Sequence, residues 1–223
     1  LRIVERTVNT RNFSDQTFVG GVTSGGQRGL FAMKFHDRVF DPTFYANKSV
    51  FVFDRELVVL GSDIKNSDTK HRTETTLFQA YLRSEDAPVY INGPEPVTDL
   101  PYDYTVDGEK PVWLVDPSGN GYVLPNAKGL RLRRAEQQSI HHMGEDATSG
   151  NYATAWIDHG TAPNGASYAY ILLPQASVEE VEAYAKAPQV EILRQDSRAH
   201  IVRHTPSGAI GYAVFDETLE LNA

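Results

Sequence analysis

Residues 153–174, ATAWIDHGTAPNGASYAYILLP, decide how this chain is read. Two runs rich in Ala, Ile, Tyr and Leu flank a Pro-Asn-Gly cluster, which predicts two strands around a turn. Trp156, Asp158 and His159 also sit together there, a grouping that invites a catalytic reading. Adjacent residues of a strand point to opposite faces, so Asp158 and His159 cannot act as orienter and base without a bulge. No Gly-x-Ser-x-Gly elbow supplies a nucleophile for them. The expected arrangement is structural, with Trp156 buried and His159 leading into a turn at Gly160.

The same grammar extends in both directions. Turn signals recur at GGVTSGGQRG, NGPEP, DPSGNG, APNG and PSG, separated by short runs of Val, Ile, Tyr, Phe and Leu. Strands are expected at 28–36, 49–54, 56–61, 75–82, 88–92, 111–116, 121–124, 128–134, 152–159, 166–173, 190–195, 198–204 and 209–215. Residues 49–54 and 56–61 should form a hairpin around Asp54-Arg55. Many short strands at such spacing indicate an all-β sandwich or barrel, not alternating βαβ units. A single helix is expected near 177–187: Ser177 and Glu180 make a capping box, Val178, Val181 and Tyr184 or Ala185 an apolar stripe, and Pro188 a stop. No linker interrupts the chain, so 1–223 is expected to be one domain.

Composition narrows the function. The chain has no cysteine, which excludes disulfides and thiol chemistry. A formal charge of −8 argues against nucleic-acid binding, which needs a basic face. No run is apolar enough to cross a membrane as a helix, and with no basic stretch leading into an apolar one, no signal peptide is expected in this segment. The chain opens on LRIVERT and ends on ETLELNA, and both ends are expected to be cuts in a longer protein.

Three local patterns deserve weighing. His141-His142 with Glu145 and Asp146 has metal-site composition without metal-site spacing, so a solvated loop and no metal are expected. GGQRG lacks a following Lys-Ser/Thr and a helix, so it is a Gly-rich hairpin and not a phosphate loop. Loop 62–74, SDIKNSDTKHRTE, places Lys65, Lys70, His71 and Arg72 ahead of the strand TTLFQAYL. Cations on such a rim attract sulfate and carboxylate groups, although Asp63, Asp68 and Glu74 balance them. The residues expected to bind substrate are His71, Arg72, Glu74 and Gln79.

Five stretches taken in order carry more than any one alone: FVGGVTSGGQRGLFAMKF, NKSVFVFDRELVVLGSDIKN, ETTLFQ, VWLVDPSGNGYVL and WIDHGTAPNGASYAYILLP. Together they resemble the central domain of polysaccharide lyase family 8, with NKSVFVFD…LGSDI and ETTLFQ most like chondroitin ABC lyases and hyaluronate lyases close behind. The resemblance implies a large antiparallel β-super-sandwich (galactose-mutarotase-like), with the opening stretch as one of its hairpins. It implies a multi-domain enzyme, with an N-terminal catalytic α/α toroid and a C-terminal β-domain, secreted or periplasmic. Such enzymes cleave acidic polysaccharides, the glycosaminoglycans, by β-elimination, without a cofactor. The family's Asn, His, Tyr and Arg belong to the toroid and its Glu to an upstream segment, so no catalytic residue is expected here. The alternative is a free-standing carbohydrate-binding or structural sandwich. A mutarotase-like enzyme would need a His and a carboxylate to converge, for which His71 and Glu74 are the available pair.

Overall fold

The computed structural model describes residues 14–140 and 146–220. Among the described residues, sixteen strands and one helix form three layers. The central sheet has nine strands in the order β1 (Val19–Ser24), β2 (Arg28–His36), β3 (Tyr45–Phe53), β4 (Glu56–Lys65), β13 (Asn164–Leu173), β10 (Gly121–Leu124), β9 (Val112–Val115), β6 (Val89–Ile91) and β7 (Pro96–Val97). A four-stranded sheet, β5 (Arg72–Tyr81), β12 (Ala147–Thr161), β11 (Leu130–Ile140) and β8 (Tyr102–Thr105), covers one face of it. The other face meets α1 (Val178–Lys186) and a three-stranded sheet of β14 (Val190–Gln195), β15 (Ala199–His204) and β16 (Ala209–Val214). All pairings are antiparallel.

The three layers explain a pattern that alternation alone does not. VWLV of β9 and GYVL of β10 are buried at every position. Val112 and Leu114 join the core against the four-stranded sheet, while Trp113 and Val115 join the core under α1 and β15. A strand covered on both faces has no solvent side, so its sequence reads as a continuous apolar run. Outer strands alternate instead: in β12, Ala153, Ala155 and Ile157 face the core while Tyr152, Thr154, Trp156 and Asp158 face out.

The β3–β4 hairpin forms as expected, with Phe53 opposite Glu56 and Asp54 at φ 50° in the two-residue turn. The β1–β2 hairpin turns through Gly25 and Gly26 at φ 63° and 72°, a conformation that glycine adopts without strain. The capping box of α1 is complete: Ser177 Oγ accepts from the Glu180 N–H, and Glu180 accepts from the Ser177 N–H.

The opening stretch departs from expectation. Its two strands do not pair with each other: β12 pairs with β5 and β11, β13 with β4 and β10. The chain crosses from one sheet to the other at Ala162-Pro163, making an arch where a hairpin was expected. Core residues of both flanks, Ile157 and Tyr168 among them, meet across the layer boundary. Turn residues and alternation are the same for a hairpin and an arch, so sequence alone does not separate them. Loop 62–74 is also shorter than expected, because β4 continues to Lys65 and β5 begins at Arg72. The remaining connection, 66–71, is a second arch beside the first. Asn66 N–H donates to the Pro163 carbonyl and Ala162 N–H to the Asp68 carbonyl.

A polar seam fastens the three-stranded sheet to the central one. His200, fully buried, lies between Ser49 Oγ (2.7 Å from Nδ1) and Ser62 Oγ (2.8 Å from Nε2). Ser62 donates its proton to the Asp196 carbonyl, so it must accept from Nε2–H, which leaves Nδ1 to accept from Ser49. Burial pushes the His200 imidazolium pKa down to about 4. Gln195 Nε2 donates to the carbonyls of Gly61 and Tyr168.

Candidate substrate-facing surface

Arg72, Glu74 and Gln79 share the outer face of β5, and a β-bulge makes this so. Phe78 lies opposite Ala155 and Thr76 opposite Trp156, so Leu77 is an extra residue without a partner. Without it, positions 74 and 79 would face opposite sides of the sheet. A second bulge lies in β12 between Asp158 and Thr161, with Gly160 at φ 82°. Gly160 therefore belongs to the strand and is not a turn residue, as the sequence had suggested.

Arg72 is tied across the sheet to Asp158: its Nε donates to Oδ2 at 2.6 Å. Asp158 is 7% exposed while Arg72 is 56% exposed, so the carboxylate forms the floor and the guanidinium the rim. Burial pushes the Asp158 carboxyl up. Hydrogen bonds from Arg72 and the Gly160 N–H outweigh that and hold it below the usual range. Neighbouring Glu74 is shifted upward, first by burial and then by the charge of Asp158. The same hydrogen bond holds the Arg72 guanidinium more firmly protonated than usual.

His71 is highly exposed, and its Nδ1 lies 2.7 Å from Asp68 Oδ2. Asp68 also accepts from the backbone N–H of Lys70 and His71. With the His71 side chain as the leading cause, these bonds lower its pKa to about 2. His71 and Glu74 therefore do not converge as a mutarotase-type pair: one is engaged by Asp68, the other stands beside Trp156 and Asp158. Lys65 turns back to Asp63 and the Tyr45 ring, away from the other cations. Gln79 Nε2 donates to Gln137 Oε1 at 2.8 Å, and Gln137 Nε2 donates to Thr154 Oγ1 at 2.7 Å.

Asp158 and His159 stay apart even with the bulge between Asp158 and Thr161. His159 Nε2 lies 2.9 Å from Thr75 Oγ1 on the core side, where burial depresses its pKa against the opposing charge of Asp158, with a smaller push from Lys48. Trp156 is half-buried on the outer face, a correction to the expectation of a core tryptophan. Its indole N–H is buried without a geometrically sound hydrogen bond, although Glu74 is near enough for its carboxyl to feel that N–H. The signal for this orientation was in the sequence. Ala153, Ala155 and Ile157 are the small and aliphatic positions of the strand, which leaves Thr154, Trp156 and Asp158 for the other side.

Among the described residues, no three His, Cys, Asp or Glu gather as metal ligands, and no helix is long and apolar enough to cross a membrane. His141, His142 and Glu145 lie outside the described residues; Asp146 is exposed.

A three-layer antiparallel sandwich with a polar, aromatic-bearing outer face is the class that fold and surface define. The description "Polysaccharide lyase family 8, super-sandwich domain" matches residues 3–185, and the chain belongs to that family. It is 33% identical over 210 residues to the chondroitin sulfate ABC endolyase of Proteus vulgaris, covering 90% of this chain and 20% of that protein. It is equally identical over 207 residues to the chondroitin sulfate ABC exolyase of Bacteroides thetaiotaomicron, covering 92% and 19%. The solved structure of Paenibacillus xanthan lyase superposes with a TM-score of 0.82 at 29% identity, covering 95% of this chain and 21% of that one. The chain thus spans about a fifth of the length of these relatives.

Proposed function

We propose that this chain is the central sandwich of a glycosaminoglycan lyase and forms one wall of its polysaccharide cleft. The observation that carries the reading is proportion: nine-tenths of this chain aligns with one-fifth of a chondroitin sulfate lyase. The reaction is β-elimination at a uronic acid, in which the C5 proton leaves, the C4–O bond breaks and a C4–C5 double bond forms. An N-terminal α/α toroid supplies the acid, the base and the neutralisation of the uronate carboxylate. The whole enzyme works outside the cytoplasm, where its polymeric substrate is found.

Within this wall, His71, Arg72, Glu74 and Gln79 meet the substrate. Arg72 is half-committed to Asp158 but leaves much of its guanidinium in solvent, able to hold a carboxylate or sulfate. The test is the double variant His71→Ala/Arg72→Ala in the complete lyase. Substrate binding should weaken with folding intact, and rising salt should penalise the wild type more than the variant. Unchanged kcat/KM at low salt would show that this rim is only solvated surface.

A further inference from the structure

We infer that the outer face of the four-stranded sheet, from Trp156 to Tyr152, is a saccharide-binding track that reads sugar rings and hydroxyls and not their anionic groups. The inference rests on the proposed lyase function and extends the substrate-facing surface away from the cationic rim.

Aromatic spacing comes first. Trp156 and Tyr152 lie four residues apart on the outer side of β12, about 13 Å at the usual strand rise. That separation suits a few sugar units laid along the strand. Tyr152 is widened by Tyr81, whose ring packs edge-on against it with centroids 5.4 Å apart, and Tyr81 is 59% exposed. Trp156 and Tyr152 are half-buried and keep part of each ring in solvent, and amphipathic aromatic rings suit the faces of sugars.

Between the rings lies a hydrogen-bonding strip. Gln79, Gln137 and Thr154 form a chain in which each glutamine amide donates to the next residue. The chain holds these groups in fixed orientation, and the amides keep spare donor and acceptor sites for hydroxyls.

Charge decides what the strip reads. Beyond the rim, Arg131 is paired with Asp107 at 2.8 Å and Arg133 with Asp103 at 2.7 Å. There, each of the two arginines faces a carboxylate of its own. Such a surface offers no net attraction to a polyanion, so affinity must come from stacking and neutral hydrogen bonds.

The test uses the 223-residue chain and two probes, hyaluronan hexasaccharide and chondroitin sulfate hexasaccharide, by calorimetry and by tryptophan emission. The sequence contains two tryptophans, and Trp113 is buried in the opposite core layer, so an emission change reports Trp156. Both probes should bind with saturation, and a saturable component should persist at 300 mM salt, where the contribution of the cationic rim is screened. Trp156→Ala should weaken binding at least tenfold, and Tyr152→Ala severalfold, with amide NMR spectra showing each variant folded. Tyr152→Ala keeps the test decisive if Trp156→Ala does not fold. Binding that vanishes altogether at 300 mM salt, or that survives both substitutions, overturns the track; the first result would mean that the cationic rim alone holds the probes. Absence of binding to either probe also overturns it, while the lyase reading stands or falls separately on the kinetics of the complete enzyme.

Discussion

His200 should make the sandwich acid-labile, and the size of the effect follows from its surroundings. The ring is fully buried between Ser49 and Ser62, and burial lowers its pKa from the ordinary 6.5 to about 4. The charge of Asp196 opposes this and does not prevail. In the unfolded chain the imidazole takes a proton as pH falls through 6.5, whereas in the folded protein it stays neutral until about 4. The unfolded state therefore binds more protons in that window, and stability is full above 6.5, declines below it and is lost through 4. One pKa unit corresponds to about 1.36 kcal/mol, so the whole shift is worth roughly 3 kcal/mol. Urea unfolding of the wild type and of His200→Gln, from pH 4 to 7.5, isolates this contribution. His159, with its lowered pKa, and His36, with its raised one, titrate in both proteins and cancel. The wild type should lose about 1 kcal/mol more per pH unit than the variant between pH 6 and 4.5. Parallel slopes would refute the reasoning, because they would mean that His200 accepts its proton in place.

Other consequences concern packing. A Cβ at Gly61 would collide with the buried Tyr168 ring, so Gly61→Ala should cost about 1–3 kcal/mol in urea unfolding; an unchanged midpoint would contradict the close approach. Arg134, fully buried, donates to the carbonyls of Glu85, Ala87, Thr98 and Asp99. Arg134→Met should cost about 3 kcal/mol or more and speed amide exchange around 85–87 and 98–99 first. Ser177→Ala removes the cap of α1 and should cost about 1 kcal/mol, read as a lowered Tm.

Much of this fold was legible because the physics is local. The strands at 28–36, 121–124 and 190–195 emerged at the expected bounds, and Ser177 with Glu180 announced the helix. Three strands were missed: β1 is glycine-rich, β7 has two residues and β8 four, too little pattern to stand out. What sequence could not show was partnership. The bulge at Leu77, which brings Glu74 and Gln79 to one face, arises from pairing with β12. The Arg72–Asp158 bond joins residues 86 apart. Trp156 was misplaced for a related reason: a lone aromatic in a strand is more often core, and only its alternation with Ala155 and Ile157 argued otherwise.

The most direct measurement is the absorbance of the unsaturated uronate product. The purified 223-residue chain and the complete lyase are each incubated with chondroitin sulfate, dermatan sulfate and hyaluronan. A positioned acid or base is worth about 10²- to 10⁴-fold, so a wall without that set should produce no signal while the complete enzyme does. Sustained product formation by the chain alone, free of contaminating lyase, would contradict the account and place the chemistry among Glu74, His71 and His159.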